Sequence, residues 1–148
     1  MQPTRTLRLL LITSGLIAVV IGASTLLAPV QFHAAYGTEI GNDTNLLSEV
    51  RAPGAALLTL GLLILTGAFV RSFTFVSTTV AAAVYLAYGV ARVLSIALDG
   101  VPDSGLIAAA VVELVIGKLC LREWIRFKKR GIPAELSDAF PTNPGEVA

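Results

Sequence analysis

Tyr85, Tyr88, Arg92, Ser95 and Asp99 follow one another at intervals of three or four residues. On a helix turning about 100° per residue they share an arc of roughly 80°. That face carries a cation, an acid and three hydroxyls, while the rest of Ala81 to Asp99 is apolar apart from Gly89. The planar arginine fork suits carboxylate or phosphate groups, and the hydroxyls donate or accept hydrogen bonds. An arginine inside an apolar span is expensive and faces a bundle interior or a watery cavity, so Arg92 needs a partner.

Glu113, in the next apolar run, is that expected partner. From helix rise, Arg92 lies about 9 Å and Glu113 about 10 Å inside the adjoining ends of their helices. A short hairpin between those helices brings them to one level. Glu49 and Arg51 open the preceding span, and Arg51 with Asp99 is expected to form a second, shallower layer beside Glu49. The ligand-binding candidates are therefore Glu49, Arg51, Tyr85, Tyr88, Arg92, Ser95, Asp99 and Glu113. Their acids outnumber Arg51 plus Arg92, which leaves a titratable carboxylate; Glu113 is the candidate general base. The competing reading is that these charges neutralise one another and fix helix register.

Other chemistries lack their residues. GxSxG, HExxH and Walker patterns are absent, and Ser95 has no histidine in its helix, so its hydroxyl reads as a hydrogen-bonding group. Cys120 and His33 are the only residues of their kinds, which excludes an internal disulfide and argues against a zinc site. No metal or cofactor is implied. The net charge of +1 lacks the basic field that general nucleic-acid binding relies on.

The elements that position the polar stripe follow from composition. The 148 residues are 55% hydrophobic and 14% charged, with a mean hydropathy of +0.78. Soluble domains carry about 25% charged residues, so an all-α membrane protein is expected, a bundle of four transmembrane helices within residues 1–126. The spans are placed at 7–28, 50–70, 73–98 and 104–125. Pro29 ends the first, whose apolar run is longer than the roughly 7–15 residues of a signal-peptide core. Asp43 or Thr44 is a helix N-cap, and Pro53 kinks the second span or marks its first turn. Arg71-Ser72 is a minimal turn, and Gly100 and Pro102 stop the third span. Residues 127–148 are expected to be a mobile cytoplasmic tail, starting in a basic juxtamembrane cluster.

Charge asymmetry sets the expected orientation. Arg5, Arg8, Arg71, Arg122, Arg126, Lys128, Lys129 and Arg130 fall on one side, against Arg51 alone on the other. The positive-inside rule then puts both termini in the cytoplasm, in a multi-pass protein of the inner (plasma) membrane.

Pro29-Val30-Gln31-Phe32, Glu49-Val50-Arg51, the run Ala91 to Gly100 (ARVLSIALDG) and Glu113 to Gly117 (ELVIG) together resemble a family of bacterial four-helix membrane proteins, domain of unknown function 4345. The resemblance covers roughly Leu7 to Leu121. It implies the four-helix fold and the polar positions, and no activity.

Two functional readings follow. The first is an accessory or structural subunit of a membrane assembly, with lipid bilayer and membrane proteins as partners. The second is a binding protein or enzyme for an amphiphilic, lipid-like molecule, whose anionic headgroup meets Arg51 and Arg92 in the outer leaflet. A transporter is disfavoured, since four short spans lack the paired repeats of such folds.

Overall fold

The computed structural model describes residues 4–129, all helix, turn and loop. Of the mobile tail expected at residues 127–148, residues 127–129 continue the last helix, and residues 130–148 lie outside the described part. Five α-helices follow in order, α1 (Arg5–Leu27), α2 (Pro29–Ala34), α3 (Thr44–Phe69), α4 (Thr74–Asp99) and α5 (Ser104–Lys129). All but α2 are long and apolar enough to cross a membrane.

Local chemistry sets the boundaries. The Thr4 hydroxyl accepts from Leu7 N–H and caps α1, which stops at Ala28 because the ring of Pro29 disfavours helical backbone before it. Pro29 then opens α2, where its missing N–H is harmless. The Asp43 carboxylate accepts from Leu46 N–H at 2.8 Å, so α3 starts six residues ahead of the apolar stretch expected at residue 50. Pro53 consequently lies inside α3 rather than in its first turn. A single 3₁₀ turn, Arg71–Phe73, links α3 to α4, and Gly100, at φ 101°, stops α4.

The long helices associate as two pairs. Along α1 and α3, backbones touch through glycine: a Cβ on Gly61 would lie 2.7 Å from Val19 N, and one on Gly54 2.9 Å from Leu26 N. Such contact is how apolar helices associate where water supplies no driving force. In the α4–α5 pair, Gly89 abuts Leu114 and Gly117 abuts Leu86.

The pairs join in the half that contains the α3–α4 turn. There Thr74 Oγ1 donates to Gly67 O at 2.9 Å, Ser77 Oγ to Leu63 O at 2.7 Å, and Tyr85 Oη to Ser14 O at 2.5 Å. Leu7, Leu11, Ile64, Ala68, Ala81, Ile116 and Cys120 fill the core around these ties.

Candidate functional site

The inward face of α4 is continuous. Thr74, Thr78, Ala81 and Tyr85 lie on it and are buried, and the same helical spacing continues to Arg92 and Asp99. Its cover is not continuous. From Val90 to Asp99 no residue of α4 is buried, and only Arg92 and Ile96 are half-buried. The stripe singled out from sequence therefore begins in the core and runs out of it.

Arg92 meets Glu113 across the α4–α5 pair. Its Nε donates to Glu113 Oε2 at 2.8 Å, with the arginine side chain 32% exposed and the glutamate 12%. Gly89, three residues before Arg92, and Gly117, four beyond Glu113, bring the two helices close enough for a direct contact. Among the described residues this is the one hydrogen bond Arg92 makes, so its terminal nitrogens have no protein acceptor. Arginine–carboxylate pairs are frequently bidentate, and this one uses a single nitrogen. Here one nitrogen is engaged, and the other two have no acceptor among the described residues.

The remaining positions separate. Tyr85 does not line an opening, because its hydroxyl is buried and ties α4 to the Ser14 carbonyl of α1. Tyr88 is 38% exposed and stands beside Arg92 on the stripe. Asp99 accepts from Ser95 Oγ at 3.0 Å on its own helix. The second layer of Arg51, Asp99 and Glu49 does not form: among the described residues none of the three enters a salt bridge. The reason is the pairing pattern. Glu49 and Arg51 ride on the α1–α3 pair and Asp99 on the other, and the ties between pairs lie at the opposite end.

The loop after α2 reaches across that open end. The ring of Tyr36 lies against α5, 3.1 Å from where a Cβ on Gly105 would stand. Phe32 packs edge-on to both His33 and Tyr36, and His33 Nδ1 is bonded to Pro29 O at 2.8 Å. From sequence Tyr36 reads, with Phe32 and Ile40, as an interfacial residue of this loop; its contact with Gly105 of α5 has no signal in the sequence. Among the described residues no group of three or more His, Cys, Asp or Glu side chains is placed to hold a metal.

The family model described as Domain of unknown function (DUF4345) matches residues 6–122, a stretch that includes Arg92, Glu113 and both helix pairs. The chain belongs to the DUF4345 family. No curated protein and no solved structure matches it. DUF4345 membership thus supports the four-helix fold and brings no activity with it, so any functional reading rests on the geometry.

Proposed function

We propose that this chain is a multi-pass protein of the bacterial inner membrane that binds an anionic amphiphile in the outer half of the bilayer. The observation that carries the reading is the single-nitrogen contact between Arg92 and Glu113 on the uncovered end of an otherwise buried helix face. Glu113 orients the guanidinium, and the free terminal nitrogens form charge-assisted bonds to a carboxylate or phosphate headgroup. Tyr88 borders the headgroup position, and the apolar tail lies among the lipid chains beside α4. In this reading Glu113 positions the guanidinium, in place of the general-base role expected of it from sequence. The basic excess around Arg5, Arg8, Arg71, Arg122 and Arg126 supports both termini being cytoplasmic.

The uncovered stretch from Val90 to Asp99 also favours a second reading, an accessory subunit that receives a partner helix there. A photo-crosslinking residue at Ser95 separates the two. The amphiphile reading expects adducts of lipid mass, enriched in anionic species over those captured from Val20, an exposed apolar position on α1 (61%). Adducts of protein mass in place of these would sink it and favour the subunit.

A further inference from the structure

Arg51, which the ion pair of the site does not use, stands over a groove of its own. The end of α1 and the start of α3 border an open groove of about 450 Å³, whose apolar lining is Leu26, Leu47, Ala52 and Ala55. Thr44, Ser48 and Arg51 form its polar rim, and they recur at intervals of four and three residues along one side of α3. Arg51 has no carboxylate partner among the described residues. Neither Thr44 nor Ser48 closes its hydroxyl onto a carbonyl of its own helix, as Thr59, Thr66 and Thr78 do. One cation and two hydroxyls thus line the same space as these aliphatic side chains.

The level of the groove in a bilayer narrows the occupant. A hydrocarbon core of about 30 Å takes about 20 residues of helix, which counted back from Phe69 ends near Glu49. The rim then lies where phospholipid phosphates lie, and the apolar wall continues toward the acyl chains. We infer that this groove is a site for one anionic phospholipid, with Arg51 and the hydroxyls of Ser48 and Thr44 on its phosphate and an acyl chain along Leu26 and Ala55. Anionic rather than zwitterionic lipid follows from charge: the guanidinium is the one unpaired ion of the groove, and a choline ammonium would stand against it. The inference requires that the helices span a membrane. It does not require the Arg92 site, which lies on the other helix pair.

Native mass spectrometry of the full-length, delipidated chain in detergent reads the site directly. The probes are phosphatidylglycerol, phosphatidylcholine with the same acyl chains, and glycerol phosphate as the headgroup without a tail. Phosphatidylglycerol should remain bound to the wild-type chain where the other two are lost. Because phosphatidylglycerol can also occupy the Arg92 position, Arg51→Gln is compared with Arg92→Gln present in both chains. It should lower retention about tenfold, the scale of one charge-assisted hydrogen bond. Lys118→Gln removes an exposed cation elsewhere and should leave retention unchanged. Should Arg51→Gln fail to fold, Thr44→Ala with Ser48→Ala keeps the charge and should still weaken retention. Equal retention with and without Arg51→Gln in a folded chain would overturn the inference. So would equal retention of phosphatidylcholine, or of glycerol phosphate alone. Neither result would bear on Arg92, whose reading stands or falls on amphiphile captured at Ser95.

Discussion

At the scale of single residues, the Arg92–Glu113 contact bears on stability and on the proposed recognition. Removing one partner leaves an uncompensated charge among apolar side chains, while removing both leaves none. Because the arginine is about a third exposed, the loss is well below that of a fully buried pair. Arg92→Leu and Glu113→Leu should each lower unfolding free energy by about 1–2 kcal/mol in detergent, and the double replacement should recover most of it. Losses that simply add would show that the two do not depend on each other. Tyr85 belongs to a different account. Tyr85→Phe removes a buried tie to Ser14 O and should cost about 1 kcal/mol of stability. It should leave the amphiphile bound at Arg92 untouched, and loss of that amphiphile from a stable Tyr85→Phe chain would place the hydroxyl in the site after all.

At the scale of elements, the glycines decide which helices pair, and the pairing decides which charges meet. Gly89 and Gly117 hold α4 and α5 at the spacing that one Arg92–Glu113 hydrogen bond needs. Gly89→Val would drive a side chain into Leu114, at a cost of about 1–3 kcal/mol for overpacking. The expected outcome is a joint loss of thermal stability and amphiphile retention. A variant that keeps full retention would show that the α4–α5 spacing does not set the site. The same pairing explains what sequence could and could not reveal. Arg92 and Glu113 sit on consecutive helices joined by a short hairpin, so helix rise alone puts them level. Arg51 and Asp99 ride on different pairs, and nothing in an apolar sequence states how far two pairs spread above their shared core. Tyr85 was misread for a similar reason: its partner is a backbone carbonyl, which has no sequence signature. The early start of α3 was legible only in part, since Asp43 reads as a cap while hydropathy places the span from about residue 50.

At the scale of the whole molecule, the pairs are tied at one end and the Tyr36 loop bridges them at the other. Gly105→Val would push the Tyr36 ring off α5. It should raise exposure of the loop to limited proteolysis while leaving the core ties at Ser14, Leu63 and Gly67 intact. Unchanged cleavage would mean that Tyr36 does not hold the loop. The proposed orientation is tested by thiol labelling in a Cys120→Ala background. Thr38→Cys should react with an impermeant reagent in intact cells and Thr142→Cys should not; the reverse pattern would invert the molecule.

The most direct measurement is of what the purified protein holds. The wild-type chain is extracted gently, and its bound amphiphiles are identified by mass spectrometry alongside those of folded Arg92→Gln and of the Arg92→Leu/Glu113→Leu double variant. The account predicts one more anionic amphiphile per chain in the wild type than in Arg92→Gln or in the double variant, even where stability has recovered. An equal number of anionic amphiphiles on the wild type and the stable double variant would contradict it, because the guanidinium proposed to hold the headgroup would then be dispensable.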